Sequence, residues 1–497
     1  MTRSRLLQNT GANMAGRLVS AGSNLVAAPI IIHAIGREGF GVVTFALSLM
    51  AFSSLLDLGL AATANRALAQ TSATGRNSAE QADLLRTFEL IYWAGAAVII
   101  VAAVAASGWV ARDWLNLTTL RSSDAAFVVA LIGIMLGLRF PVGLYTGVLY
   151  GRLRHVEKNV IFGGFSAVQS LGGAALVVFV SPSVLLYSKW LVLTGVGEML
   201  VTALAAWGAL GGRRSFVLGR FKKAILAQHW QFSLIFAATG AICSLGAASD
   251  RFLLGKLLPV GEVGLYGLLY TPAGVLIMIS GALSVAAFPE FAATSLASGQ
   301  SAASSLFVRA QSLATVCILV IAIPLATQYA PVLRIWTHDS AIARDGFVPG
   351  VFLIAAMAVN ALANPAYTFL LGSGRLRLAL MCNVAGLAIT VASLFLLVPR
   401  LGLAGAAIAV LISNAFGLVF FLFQARKILD LTGARAAVGR ACFLACSLCV
   451  CNFAIAVTCH LDSVRVALSI FTSGAIGCLF CKKTGLLQQF LDHPQAG

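Results

Sequence analysis

Ten charged side chains lie inside stretches that are otherwise apolar, and they are the residues of this chain best suited to chemistry. The basic ones are Arg17, Arg139, Lys189, Arg251 and Lys256, and the acidic ones are Asp57, Glu89, Glu198, Asp250 and Glu290. A charge at membrane depth costs about 2.5–3.5 kcal/mol on insertion scales, so it marks either a functional site or a buried pair. Asp57, Glu89 and Glu290 lie near predicted inner helix ends and can reach water there, which makes them weaker candidates.

The basic residues in this set suit an anionic ligand. An Arg side chain stays charged and binds phosphate oxygens through two parallel hydrogen bonds. A carboxylate nearby could bind and release a proton or a sodium ion. The predicted anion-binding residues are Arg17, Arg139, Lys189 and Arg251, and the predicted cation-coupling residues are Glu198, Asp250 and Asp57.

A structural explanation of the same charges stays open. Asp250 and Arg251 are neighbours in sequence, and Arg139 and Glu198 lie nearest the middle of their predicted spans. Either pair could be a buried ion pair that fixes the packing of two helices. The sequence does not decide between the two explanations.

The elements that position these charges are predicted membrane helices. Apolar residues make up 59% of the 497 residues and charged residues 10%, with a mean hydropathy of +0.93. Soluble domains carry about a quarter charged residues, and a helix needs about 20 apolar residues to cross a bilayer. Such stretches lie near 13–35, 40–62, 87–108, 125–150, 160–180, 184–209, 229–257, 264–288, 306–333, 348–371, 379–398, 404–425, 440–460 and 464–481. We therefore expect an all-α integral membrane protein with about fourteen transmembrane helices.

The net charge of +17 follows the predicted topology. Successive loops lie alternately on the two sides of the membrane. The loops on one side, together with both termini, hold most of the 34 Lys and Arg residues, including five within 210–228. Positive residues accumulate on the cytoplasmic side, which places both termini in the cytoplasm. The basic excess is therefore a topology signal, and nucleic-acid binding is not predicted.

Three predicted outer turns resemble one another and indicate an internal repeat. They read Gly36-Arg-Glu-Gly-Phe-Gly-Val-Val43, Val260-Gly-Glu-Val-Gly-Leu-Tyr-Gly267 and Leu401-Gly-Leu-Ala-Gly-Ala-Ala407. Their recurrence at the first and seventh spans predicts a six-helix lobe at 1–210, a second at 211–425, and two additional helices at 426–497. Related halves around a central site are common in alternating-access transporters. Glycine-rich turns that arose independently are the alternative.

Several functions lack their sequence signals. The chain has no G-x-x-x-x-G-K-[ST] phosphate loop, which argues against ATP hydrolysis. It has no His, Cys and carboxylate cluster with metal-ligand spacing, and the ten cysteines read as packing residues in apolar helices. No catalytic residue, bound metal or cofactor is predicted.

Motifs in a fixed order resemble a known family over about 13–425. They are Asn13-x-x-x-Arg17, Ile35-Gly-Arg-Glu-Gly-Phe-Gly41, Leu56-Asp-Leu-Gly-Leu60, Pro141-x-x-x-Tyr-x-Gly-Val-Leu-Tyr-Gly151, Ser249-Asp-Arg-Phe-Leu-Leu-Gly255 and Phe288-Pro-Glu290. This pattern resembles the polysaccharide transporter branch of the multidrug/oligosaccharidyl-lipid/polysaccharide (MOP) exporter superfamily, which includes O-antigen and exopolysaccharide flippases. These motifs contain Arg17, Asp57, Asp250 and Arg251. Arg139, Lys189 and Glu198 lie outside the motifs, and they are candidates only because a charged residue inside a membrane span is energetically costly.

The resemblance implies two pseudo-symmetric six-helix lobes around a central cationic cavity. It implies a flippase that moves an undecaprenyl-diphosphate-linked oligosaccharide from the cytoplasmic to the periplasmic leaflet of a bacterial inner membrane, driven by a proton or sodium gradient. The implied partners are that lipid-linked oligosaccharide and membrane lipids, with a polysaccharide polymerase and a chain-length co-polymerase as further candidates.

Other functions remain as alternatives. A lipid II flippase shares the fold and the substrate chemistry. A multidrug or cation antiporter of the same fold would favour an acidic cavity, whereas the intramembrane set here is at least as basic as it is acidic. A membrane-embedded polymerase usually carries a large outer loop, and the predicted outer connections here are short.

Overall fold

The computed structural model describes residues 3–52, 78–211, 220–297, 299–429, 434–459 and 461–484. Nearly all of these residues are helical. Within these ranges the β pairing is a single bridge between Asn116 and Pro259. A chain in hydrocarbon must satisfy its backbone groups internally, and helices do so within one segment. The predicted all-α class is confirmed.

The helices are numbered here in chain order. They are α1 (Arg3–Ser48), α2 (Ser78–Trp109), α3 (Ser122–Arg139), α4 (Val142–Gly151), α5 (His155–Ala167), α6 (Gly173–Phe179), α7 (Val184–Ala209), α8 (Lys223–Leu257), α9 (Val260–Ala297), α10 (Gly299–Thr327), α11 (Tyr329–Thr337), α12 (Ser340–Gly372), α13 (Leu376–Ile428), α14 (Ala434–Thr458) and α15 (Asp462–Thr484). Short π-helical segments, Val110–Trp114 and Val168–Gly172, follow α2 and α5.

The described ranges contain eleven helical stretches long and apolar enough to cross a membrane, so this is an integral multi-pass membrane protein. Two of these stretches join predicted spans: Asn13–Phe52 covers 13–35 and the described part of 40–62, and Leu376–Ile428 covers 379–398 and 404–425. The first is kinked at Gly36 (φ 77°) and the other at Gly402 (φ 57°), and both kinks lie in predicted outer turns. Only glycine adopts such φ values readily, which is why the chain changes direction there. The count of fourteen stays a prediction.

Two predicted spans are interrupted. The span predicted at 125–150 is split at Phe140 and Pro141, where α3 ends and α4 begins. Proline has no N–H and cannot continue the hydrogen-bond ladder. The span predicted at 160–180 contains the π-helical segment Val168–Gly172. Such segments loosen the regular ladder and often lie near functional residues.

The chain divides into two compact units, Met1–Leu268 and Leu269–Gly497. In the first unit, a core on α2, α4 and α7 is built around Phe88, Tyr145 and Trp207. In the second unit, a core on α9, α10, α12 and α13 is built around Phe291 and Phe369. The predicted division at 210 and 425 stays a prediction.

The last two helices form a separate cluster within the second unit. Leu444 and Leu448 of α14 pack with Val316 of α10 and Cys481 of α15. A methyl at Gly477 would lie 2.6 Å from Val320 Cγ2, so α15 approaches α10 closely. The two C-terminal helices are thus fastened to the body of this unit.

Candidate functional site

A ladder of polar side chains joins α1 to the α5 region in the first unit. Asn159 donates to Asn13, Ser20 and Ser166 share a hydrogen bond of 2.6 Å, and Ser170 donates to Asn24 at 2.9 Å. The two residues of every rung are 146 positions apart. A constant offset means that the two helices run parallel and in register. In hydrocarbon such bonds hold helices together where burial cannot.

Arg17 lies on the same stripe of α1 as this ladder, one turn after Asn13. The offset of the ladder places Gly163 at the corresponding position, and a methyl there would lie 3.3 Å from Gly16 Cα. Among the described residues of α5, the position that faces Arg17 is therefore a glycine without a side chain. The guanidinium is exposed, and within the described part of the chain it has neither a hydrogen-bond nor an ion-pair partner. Arg17 is a cation left available at membrane depth.

Arg139 and Glu198 form an ion pair. Arg139 lies in the last turn of α3 and Glu198 lies on α7, with exposed side-chain fractions of 20% and 8%. Lys158 of α5 also acts electrostatically on Glu198, and its ammonium group lies 4.4 Å from the centre of the Phe162 ring. Two cations thus stand near one carboxylate. The structure brings these two predicted residues together within the first unit.

Asp250 and Arg251 form a second local pair, on α8. Asp250 is buried and accepts hydrogen bonds from Tyr266 Oη at 2.8 Å and from the Arg251 N–H at 2.8 Å. Arg251 Nε lies 3.5 Å from the carboxylate, and its Nη2 donates to the Ala247 carbonyl at 2.8 Å. This carboxylate therefore joins α8 to α9 as well as balancing charge.

The remaining predicted residues are not joined to these pairs. Lys189 is exposed on α7, and the described residues include no ion-pair or hydrogen-bond partner for it. Asp57 lies outside the described residues. The structure thus pairs Arg139 with Glu198 and Asp250 with Arg251. The shared cationic cavity stays a prediction.

Glu89 differs from its sequence interpretation, because it does not reach water. It is 5% exposed and accepts hydrogen bonds from Tyr145 Oη (2.5 Å), Arg86 Nη1 (2.7 Å) and Trp207 Nε1 (3.2 Å). A carboxylate with three donors is stable when buried. The sequence offered one signal for this cluster, the i,i+3 spacing of Arg86 and Glu89.

Three other residues with polar roles were not singled out from the sequence. They are Lys158 beside the Arg139–Glu198 pair, and Glu38 and Asn116 near the predicted outer surface. Lys158 lies at a helix end and Asn116 in a loop, where a polar residue is ordinary, and Glu38 lies within the Gly36–Val43 turn motif, which did not indicate its hydrogen bonds. The residues that the structure describes contain no group of His, Cys, Asp and Glu able to hold a metal ion.

Comparisons with known proteins give a family and a fold. The sequence profile of a family described as polysaccharide biosynthesis protein matches residues 6–295. A protein of Shigella flexneri assigned as an O-antigen transporter is 22% identical over 415 residues, which cover 81% of this chain and 94% of that protein.

Two solved structures share the architecture. A multidrug resistance MATE family transporter of the MOP superfamily, in an inward-facing conformation, has a TM-score of 0.69 at 14% identity, covering 82% of this chain and 94% of its own. The lipid II flippase MurJ, in an inward closed conformation, has a TM-score of 0.71 at 10% identity, covering 96% and 99%. At such identities the likeness establishes the fold and leaves the substrate open.

Proposed function

Because the chain belongs to the polysaccharide biosynthesis protein family, we propose that it flips a polyprenyl-diphosphate-linked oligosaccharide across a bacterial inner membrane. The substrate would be an O-antigen or exopolysaccharide repeat unit, moved from the cytoplasmic to the periplasmic leaflet by alternating access. The related Shigella flexneri protein supports this class of substrate. Unaided passage would strip many hydrogen bonds from the sugars, and each would cost several kcal/mol.

The observation that carries this proposal is the available guanidinium of Arg17. A cation at membrane depth is normally paired or faces a water-filled path. Arg17 is exposed on a polar stripe with an unsubstituted position opposite it. A diphosphate offers the oxygens that such a group binds in pairs. Arg17 is thus the first candidate to hold the diphosphate while the polyprenyl tail stays in lipid.

The other predicted residues take secondary roles in the proposal. Arg139 and Arg251 stand beside the carboxylates of Glu198 and Asp250, so a phosphate would have to compete with those groups. Lys189 is exposed and could contribute charge.

A proton or sodium gradient would drive the cycle, with Glu198, Asp250 and Asp57 as the candidate coupling groups. A membrane potential of 100 mV contributes about 2.3 kcal/mol per charge moved. The orientation with both termini in the cytoplasm belongs to the proposal, as do the polymerase and the chain-length co-polymerase as partners.

Lipid II is the second candidate substrate. The MurJ structure covers 96% of this chain, whereas the MATE structure covers 82%. Lipid II also carries a polyprenyl diphosphate, so Arg17 suits both substrates. A multidrug antiporter is disfavoured, because an exposed guanidinium repels a cationic drug.

The test is flipping by purified protein in liposomes. Arg17→Ala is expected to slow the flipping of a fluorescent polyprenyl-diphosphate oligosaccharide by roughly 10- to 100-fold, because a hydrogen bond to a charged group is worth about 1.5–3 kcal/mol. Arg17→Lys keeps the positive charge but cannot form two parallel hydrogen bonds, so its flipping rate should lie between those of the wild type and Arg17→Ala.

The matched control is Arg344→Ala, because Arg344 is an exposed arginine paired with its neighbour Asp345. Flipping at the wild-type rate by Arg17→Ala would remove Arg17 from the site. Lipid II flipped faster than the oligosaccharide by the wild type would select the second candidate.

A further inference from the structure

The first and second predicted outer turns pack directly against each other. We name residues 36–44 the first hinge and residues 259–267 the second hinge. A methyl at Gly41 would overlap the Val260 carbonyl oxygen, and a methyl at Gly264 would overlap the Arg37 carbonyl oxygen. Each position of the second hinge lies 223 residues after its counterpart in the first. Such reciprocal contacts are those of a two-fold axis.

A third contact between the two hinges joins positions with the same separation in sequence. A methyl at Gly267 would lie 2.6 Å from Thr44 Cγ2, and these two positions also differ by 223. Val42, Val260 and Tyr266 around the contact are fully buried. The two hinges therefore pack against each other as tightly as residues of a protein core, and the absence of side chains on Gly41 and Gly264 permits this.

A strap formed by residues 113–120 begins in the last residues of the π-helical segment Val110–Trp114, ends just before α3, and binds the second hinge. Asn116 Nδ2 donates to the carbonyls of Lys256 (2.8 Å) and Leu258 (3.5 Å), at the C-terminal end of α8. The Asn116 carbonyl accepts the Val260 N–H (3.0 Å), at the start of α9. These backbone groups have no partner within their own helices. Asn116 thus caps the end of one helix and the beginning of the next.

Two more contacts hold the strap to α8. Lys256 Nζ donates to the Asp113 carbonyl at 2.6 Å, and Trp114 Nε1 donates to the Phe252 carbonyl at 3.2 Å. The Trp114 and Phe252 rings lie 4.8 Å apart. The strap is therefore bound along the last turns of α8 as well as at its end.

The other end of the strap is fastened to the first hinge. The Glu38 carboxylate accepts the N–H groups of Thr118 (2.6 Å), Thr119 (2.8 Å) and Leu120 (3.2 Å), and both threonine hydroxyls donate to it as well. Glu38 is 8% exposed. One connection between two helices therefore binds both repeat hinges at once, through Glu38 on one side and Asn116 on the other.

We propose that residues 113–120 are an outer latch that holds the two hinges together in this conformation, and that the latch releases in each transport cycle. The release rests on the proposed function, since alternating access needs the outer side to open. The latch determines how often the two hinges separate at Gly41 and Gly264. When Asn116 moves away, water can replace its hydrogen bonds to the backbone.

A reversible cross-link tests whether the hinges separate. A Cβ at Gly261 would lie 3.8 Å from Arg37 Cβ, the mean Cβ separation in disulfides. The oxidised double variant Arg37→Cys/Gly261→Cys is expected to flip at least tenfold more slowly, and a reductant should restore the rate. The single variants Arg37→Cys and Gly261→Cys, treated alike, are the controls. Full cross-linking with an unchanged rate would overturn the proposal.

A substrate-free measurement tests the strap itself. Thr44→Cys, beneath the contact, is labelled with a membrane-impermeant maleimide, and labelling of the parent chain is subtracted. Adding Asn116→Ala is expected to raise the labelling rate several-fold. Arg112→Ala is the matched control, because Arg112 Nε donates to the Gly108 carbonyl at the end of α2 and, in the described part of the chain, its side chain has no hydrogen bond to the strap or to either hinge. Equal labelling of the two variants would overturn the latch.

The two tests separate the latch from the proposed function. If wild-type protein fails to flip the oligosaccharide while Asn116→Ala still raises labelling, the latch stands and the substrate assignment fails. If flipping proceeds but neither the cross-link nor Asn116→Ala has an effect, the latch fails and the substrate assignment stands.

Discussion

Replacing Arg139 with alanine is expected to lower the free energy of unfolding by about 3–5 kcal/mol, the range for breaking a buried ion pair. The change leaves the Glu198 carboxylate, 8% exposed, without its guanidinium partner. Lys158 compensates only in part, because its ammonium group lies over the Phe162 ring. Thermal denaturation of the purified protein in detergent measures this loss of stability.

A double replacement shows whether this pair is structural. Arg139→Leu/Glu198→Leu removes both charges and should recover most of the stability that Arg139→Ala loses, since apolar residues often replace buried pairs without penalty. A stable double variant that no longer flips would assign Arg139 or Glu198 to transport. Stability unchanged in Arg139→Ala would show that the pair contributes nothing to the fold.

The second large effect is expected at Asn452, the centre of a buried polar cluster that fastens the C-terminal helices. Its side chain accepts a hydrogen bond from Ser469 and donates one to Ser473 at 3.0 Å. Its backbone carbonyl accepts a hydrogen bond from Gln328 Nε2 at 3.0 Å. Asn452→Ala should lower the unfolding free energy by about 1–3 kcal/mol for each hydroxyl left unpaired. Cleavage of α14 and α15 by a protease in detergent should become faster.

Ser447→Ala on the same helix is the control, because the Ser447 hydroxyl donates to the Phe443 carbonyl one turn earlier and has no other hydrogen-bond partner among the described residues. Proteolysis of Asn452→Ala at the control rate would show that the apolar contacts of Leu444 and Leu448 suffice. The Arg334–Asp462 ion pair, 3.1 Å between Nε and Oδ2, joins α11 to α15, but its guanidinium is exposed, so it should matter little.

The membrane class could be predicted from composition alone, because no soluble fold hides so much apolar surface. The hinge glycines could also be predicted from the sequence, since Gly36 and Gly402 adopt backbone angles that few other residues tolerate. Helix ends were harder. The break at Pro141 has a proline as its signal, whereas the π-helical segment Val168–Gly172 has none, since one inserted residue leaves the apolar pattern almost unchanged.

The candidate site was only partly predictable. The free-energy cost of a charge inside a membrane span identified Arg139 and Glu198 individually. Their pairing was one of two explanations that the sequence left open. The availability of Arg17 could not be predicted, because it depends on Gly163, which lies 146 positions away. Glu89 was misjudged because its donors Tyr145 and Trp207 come from two other helices.

The sequence by itself determined that this chain crosses a membrane many times, where its glycine turns lie and to which family it belongs, because those properties depend on local composition and short motifs. Only the tertiary structure decided which charges neutralise one another, which guanidinium stays available and that Asn116 caps two helices. The physical reason is that electrostatic and hydrogen-bond energies depend on distances between atoms, and residues more than a hundred positions apart set those distances only when the helices pack.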